Sequence, residues 1–125
     1  MALRERVDDF VGWICRALLG LFFRRIEVVG RERIPASGRF LVVANHVNGL
    51  IDPMFVFGPL RIRARSLGKS TIWKIPVINW LADLAGAIPV YRRKDEGVDT
   101  TKNLETFARC HEVLRDGGRI AIFPE

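Results

Sequence analysis

Residues 40–44 read Phe-Leu-Val-Val-Ala, an unbroken apolar run that stops abruptly at Asn45-His46. A strand with one wet face alternates apolar and polar residues, whereas an unbroken run of this length marks a strand buried on both faces. Such a strand needs a layer above and a layer below, the arrangement found in α/β proteins. A second run of this kind lies at 119–123, behind Gly117-Gly118. Helical patterning separates the two. The expectation is an α/β fold, with a mixed, largely parallel sheet flanked by helices.

The remaining punctuation fits that frame. Residues 26–29 read as a short strand, and 31–38, with Pro35 and Gly38, as a loop. A helix starts at Asp52, which can cap it, with Pro53 at the first helical position and Gly58-Pro59 as its stop. Residues 62–67 and 87–91 read as strands, and 72–85 as one or two short helices interrupted by Pro76. Residues 100–115 form a helix with Leu104, Phe107, Ala108 and Leu114 on one apolar face, ended by Gly117-Gly118. His111 lies on or near that face and reads as a core or boundary histidine. The chain stops at Phe123-Pro124-Glu125, directly after a buried strand. A bare strand end is a poor domain boundary, so a truncated chain is expected.

Residues 10–23 (FVGWICRALLGLFF) are the most apolar stretch. Crossing a membrane takes about 20 apolar residues, so this run is too short to span. Acidic residues precede it at Glu5, Asp8 and Asp9, and no small-residue cleavage site follows, which argues against a signal peptide. Bulky apolar residues, Trp13 and the arginines Arg24-Arg25 suit an amphipathic helix lying in the membrane interface, although a helix packed on the protein's own core has similar composition. The expected division is 1–25 as a membrane-associating helix and 26–125 as the N-terminal portion of a catalytic domain whose C-terminal part is missing.

The formal net charge of +6 favours anionic partners. Its basic residues form three groups: Arg24-Arg25 with Arg31 and Arg33, then Arg61, Arg63, Arg65 and Lys69, then Arg92-Arg93-Lys94. No basic block is interleaved with aromatics, so only charge would support nucleic acid as a partner. The two cysteines, Cys15 and Cys110, have no metal-ligand spacing and read as reduced thiols. Neither a metal nor a bound cofactor is expected.

Ligands of open α/β sheets bind beyond the carboxyl ends of the strands. Asn45-His46, Arg92-Arg93 and Glu125 each follow an apolar run and would share that rim. His46 and Asp52 flank Val47-Asn48-Gly49-Leu50-Ile51, in which Asn48-Gly49 is a turn signal. A tight turn would return the carboxylate to the imidazole, fixing its tautomer and stabilising its charged form. The free ring nitrogen could then take a proton from a substrate hydroxyl. No Ser or Cys nucleophile lies nearby, so direct attack by that hydroxyl on a thioester is the natural chemistry. Individually, His46 is also explained as a loop histidine and Asp52 as a helix cap.

Together the segments resemble a known family. Asn45-His46-Val47-Asn48-Gly49-Leu50-Ile51-Asp52-Pro53 is similar to the first motif of the glycerol-phosphate/lysophosphatidate acyltransferases. Gly86-Ala87-Ile88-Pro89-Val90-Tyr91-Arg92-Arg93 is similar to the second, and Phe123-Pro124-Glu125 to the start of the third. The resemblance implies acyl transfer, in glycerolipid and phospholipid biosynthesis, from acyl-CoA or acyl carrier protein to a hydroxyl of glycerol 3-phosphate or 1-acylglycerol 3-phosphate. It implies His46 as general base and Asp52 as its partner. Arg92, assisted by Arg93, would hold the acceptor phosphate, with Lys69 as a further phosphate contact, and Glu125 would meet the acceptor's glycerol part. It also implies action on a membrane surface, at the cytoplasmic face. The spacing from His46 to Asp52 is one residue longer than the usual form, as in a branch of the family that includes some acyltransferases acting on glycerol 3-phosphate or dihydroxyacetone phosphate, which leaves the acceptor open. The competing possibility is a non-catalytic lipid-binding fragment of an acyltransferase-like protein.

Overall fold

The computed structural model describes residues 2–45, 51–93, 97 and 99–124. Helix α1 (Ala2–Phe22) leads through an irregular segment, with a 3-10 turn at Arg31–Arg33, into strand β1 (Leu41–Val43). Then α2 (Ile51–Phe57), β2 (Arg65–Lys69), α3 (Ile78–Ala85), β3 (Ile88–Val90), α4 (Asn103–Arg115) and β4 (Ile120–Ile122) alternate. The strands form one sheet in the order β1-β4-β2-β3. Every pairing among the described residues is parallel. The α/β expectation therefore holds, with the four strands wholly parallel.

Parallel neighbours need crossover connections, which are nearly always right-handed. The chain moves one way across the sheet from β1 to β2 to β3 and then returns to β4. Right-handed crossovers put α2 and α3 on one face and α4 on the other. The packing agrees: α1 lies against α2 and α3, and α4 against β3 and β4.

The core on the first face is Val56, Ile62, Ala64 and Ala121, with Ile34, Phe40, Val42, Phe57, Leu60 and Phe123 around it. β1 differs from expectation. It is an edge strand whose Val42 packs on this core while Leu41 and Val43 remain 54% and 65% exposed. The apolar run at 40–44 is thus covered on one face only, because α4 reaches β4 but not the sheet edge. Residues 26–29 are not a strand and lie outside the sheet. Gly30, at φ 82°, turns the chain there, and Ile34 supplies the core contact instead.

The face of α4 also differs. Thr106 is buried and Asn103, Cys110 and Val113 are half-buried, whereas Leu104, Phe107, Ala108 and His111 are exposed. Hydrogen bonds decide this orientation over apolar content. Thr106 Oγ1 donates to the Pro89 carbonyl at 2.7 Å. Asn103 grips the Tyr91 backbone from the same side. The helix does end as expected: Gly117, at φ 82°, lets its own N–H and that of Gly118 return to the carbonyls of Leu114 and Val113.

Helix α1 meets α2 through glycine. A Cβ on Gly12 would sit 2.8 Å from the Phe57 carbonyl oxygen, and one on Gly58 would sit 3.2 Å from the Arg16 nitrogen. Gly12, Cys15 and Leu19 are buried on this side. The far side exposes Leu3, Phe10, Trp13 and Leu21. Core packing and an outward apolar stripe therefore coexist on one helix. Among the described residues, no helix is long and apolar enough to cross a membrane.

Two glycines of α1 should respond in opposite directions. Gly12→Val overpacks the α1–α2 contact and lowers stability by about 1–3 kcal/mol. Gly20, where an added Cβ meets nothing within 4 Å, gains about 0.5–1 kcal/mol as Ala. Urea unfolding of the two variants checks both signs.

Candidate functional site

Because the strands are parallel, their carboxyl ends share one edge of the sheet. At the end of β1, Ala44 N–H still donates to the Ile122 carbonyl of β4 at 3.2 Å, and Asn45 then leaves the sheet, exposed. His46, the expected base, lies outside the described residues, as does Glu125 beyond Pro124. Asp52 is half-buried in the first turn of α2, the helix that follows β1. The N-terminal end of a helix favours a carboxylate. Lys69 closes β2, in register with Val90 of β3. It is exposed, and so is Arg93, whereas Arg92 is half-buried two residues past β3.

The edge thus gathers Asn45, Lys69 and Arg92, but along a line. With strands about 4.8 Å apart, the end of β3 lies about 14 Å from the end of β1, and that of β2 about 10 Å. Lys69 leaves the sheet nearer β1 than the Arg92-Arg93 pair does.

The second basic group of the sequence is divided by the fold. Arg65 opens β2 and Lys69 closes it, a separation of about 13 Å at strand rise. Arg63 and Arg65 therefore lie at the opposite edge, where the acids of α1 meet them. Arg63 Nε and Nη2 donate to the two carboxylate oxygens of Asp9, both at 2.9 Å. That bidentate pairing holds the Arg63 guanidinium above its ordinary value. Arg65 pairs with Asp8 and donates to the Ala85 carbonyl at 2.9 Å. The Arg65 and Asp8 side chains are 15% and 10% exposed. Breaking a buried pair of this kind costs about 3–5 kcal/mol, so Arg65 is structural and not available to a ligand. Arg119, opening β4, donates to the carbonyls of Gly38 and Ala36 and covers the Phe40 ring. The acids before the apolar run thus neutralise Arg63 and Arg65.

Two residues at this edge escaped sequence reasoning. Asn103, in the first turn of α4, accepts the Tyr91 N–H and donates to the Tyr91 carbonyl, both at 2.8 Å. This two-point clamp extends the pairing of β3 by one residue and holds the backbone immediately before Arg92. Thr106 anchors α4 to Pro89 one turn later. Their signal was faint: polar residues on the helix face opposite the apolar one. The cysteines take no part. Burial pushes both thiols above their ordinary value, which keeps them protonated and poorly nucleophilic.

The Acyltransferase family profile matches residues 25–125. The chain belongs to the acyltransferase family. A chloroplastic 1-acyl-sn-glycerol-3-phosphate acyltransferase of Arabidopsis thaliana is 24% identical over 98% of this chain and 33% of its own length. A 1-acyl-sn-glycerol-3-phosphate acyltransferase of Chlamydomonas reinhardtii is 28% identical over 98% of this chain and 35% of its own. Glycerol-3-phosphate O-acyltransferase 2 of Saccharomyces cerevisiae is 34% identical over 80% of this chain and 15% of its own. The chain spans about a third or less of the length of these curated relatives. No solved structure matches. In this chain Asn45 follows β1, Tyr91-Arg92-Arg93 follow β3 and Phe123-Pro124 follow β4, all at one edge of the sheet.

Proposed function

We propose that the protein is a glycerolipid acyltransferase moving a fatty acyl group from a thioester donor to a hydroxyl of glycerol 3-phosphate or 1-acylglycerol 3-phosphate. The observation that carries this is the coincidence of family and topology. The segments that resemble the family's motifs include the residues that follow the carboxyl ends of β1, β3 and β4, where ligands of parallel sheets bind. The named relatives above act on such acceptors.

In the proposed reaction, a neutral His46 imidazole removes the proton of the acceptor hydroxyl as its oxygen attacks the thioester carbonyl. Asp52 steadies the imidazolium that forms. The tetrahedral intermediate then collapses: the new C–O bond remains, the C–S bond breaks, and the thiolate takes the proton from His46. A thiol of pKa about 8.5 is a good leaving group and needs little acid assistance. Arg92, with Arg93 and Lys69, neutralises the acceptor phosphate. Glu125 meets the glycerol part. No metal or bound cofactor enters the scheme.

The same proposal includes work at a membrane surface. The outward stripe of α1, on which the Phe10 and Trp13 rings stack 6.3 Å apart, offers bulky apolar groups with Arg24 and Arg25 exposed just beyond the helix end. An interfacial helix requires those features.

Two experiments on the intact protein check the proposal. His46→Ala should lower kcat/KM for acyl transfer by about 10²–10⁴-fold, the usual contribution of a general base, with Arg92→Ala raising the KM of the phosphorylated acceptor. Unchanged turnover in His46→Ala would remove the base from the mechanism. For the surface, Trp13→Glu should reduce co-sedimentation with anionic phospholipid vesicles while leaving the melting temperature nearly unchanged. Equal sedimentation would remove the helix from membrane binding.

A further inference from the structure

We propose that the strained tip Ile75-Pro76-Val77, with Trp80 behind it, enters the lipid interface as a second contact and holds the carboxyl edge of the sheet at the bilayer. The inference rests on the membrane part of the reading above, and adds to α1 a contact that fixes orientation.

The tip joins the 3-10 turn Ser70–Lys74, which starts where β2 stops, to α3. Its residues are apolar yet exposed. Ile75 is 48% and Val77 68% exposed, as is 62% of Trp80 in the first turn of α3. Pro76 between them is exposed as well. Exposed apolar side chains are ordinary when scattered singly, but a contiguous group marks a surface that meets a partner.

The backbone is a second, independent observation. The Ile78 N–H donates to the Pro76 carbonyl at 2.8 Å, and Val77 between them has φ 70° and ψ −47°. This is the rare, strained form of the γ-turn. A β-branched residue at positive φ is an outlier, whereas glycine takes the same turn without strain. Valine here therefore costs stability in water twice, through its backbone and through its exposed side chain. Strain of this kind persists where a function uses it. Insertion into lipid offsets the exposure.

The neighbours of the tip favour a lipid interface. Tryptophan concentrates at membrane–water boundaries, where Trp80 would stand. Lys74 directly before the tip is exposed, as is Lys69 at the end of β2. Cations beside bulky apolar groups match a layer of anionic head groups above acyl chains.

Position gives the contact its purpose. Helices α1 and α3 pack together on one face of the sheet. At the far end of α3, Arg65 joins Asp8 of α1 to the Ala85 carbonyl. Helix α3 has eight residues, a length of about 12 Å. The start of α1 and the tip thus stand at its two ends. A bilayer touched by α1 alone would leave the sheet free to tilt. Touched by the tip as well, it keeps the carboxyl edge, with Lys69 and Arg93, at the level of the head groups.

The test uses the intact protein and vesicles of phosphatidylcholine and phosphatidylglycerol. Ile75→Ser and Val77→Gly should each weaken co-sedimentation by about fivefold, the worth of leaving part of one aliphatic side chain in water. Val77→Gly should also raise the melting temperature by relieving the turn; a merely structural tip would show that rise without the loss of binding. Lys74→Ala should weaken binding by about fivefold on these vesicles and not on pure phosphatidylcholine. Brominated acyl chains should quench tryptophan emission, and Trp80→Phe should remove part of the quenched signal. Unchanged sedimentation of both tip variants, with Trp13→Glu still impaired, overturns the tip and leaves α1 as the membrane contact. The reverse pattern supports the tip and removes α1. A dimer that the tip substitutions dissociate, with vesicle binding unaltered, assigns the tip to a second copy and overturns the inference. Quenching that is equal with and without Trp80 overturns it even if the tip variants misfold.

Discussion

Strand β4 is hydrogen-bonded on both sides, to β1 through Leu41↔Ile120 and Val43↔Ile122 and to β2 through Arg65↔Ile120. It follows the other three described strands in sequence and lies between two of them in space. Ile120 and Ala121 are almost wholly buried, so β1 and β2 join one sheet only when this strand has entered between them. Parallel entry on both sides has a chemical consequence. All four strands point the same way, so the residues that follow β1, β3 and β4 meet at one edge. The line-up of Asn45, Lys69, Tyr91-Arg92 and Phe123-Pro124 follows from that one pairing.

The charges divide along the same axis. At the amino edge of the sheet, Arg63, Arg65 and Arg119 are held by Asp9, Asp8 and loop carbonyls. They tie α1 and the 36–38 segment to the strands. At the carboxyl edge, Lys69, Arg92 and Arg93 belong to the proposed acceptor site. The acids of α1 thus dock the helix on the arginines at the amino edge of the sheet. The glycine contact at Gly12 keeps one side of α1 against α2 and turns its second apolar side outward.

Much of this was legible in the chain. The apolar runs at 40–44 and 119–123 became β1 and β4. Gly58-Pro59, Pro76 and Gly117-Gly118 ended or broke helices where they should, because their backbone preferences are local. Misreadings arose where tertiary context decides. An unbroken apolar run cannot distinguish a central strand from an edge strand backed on one side, so the exposure of Leu41 and Val43 was not visible. Apolar periodicity placed Leu104 and Phe107 inward on α4. Two hydrogen-bonding residues, Asn103 and Thr106, turned the helix about its axis instead. Arg63, Arg65 and Lys69 looked like one basic cluster because sequence proximity hides the length of a strand. At the candidate site, the strand ends and the place of Asp52 were legible, while the Asn103 clamp, made between α4 and the end of β3, was not.

The central claim is that His46 and Asp52 act as one unit at this edge. A double-mutant cycle on the intact protein measures that directly, comparing kcat/KM for wild type, His46→Ala, Asp52→Ala and the double variant. If Asp52 works through His46, the double variant should be no slower than His46→Ala alone, because groups acting as a unit lose their effect together. Losses that multiply, with Asp52→Ala costing as much in the absence of His46 as in its presence, would contradict the account.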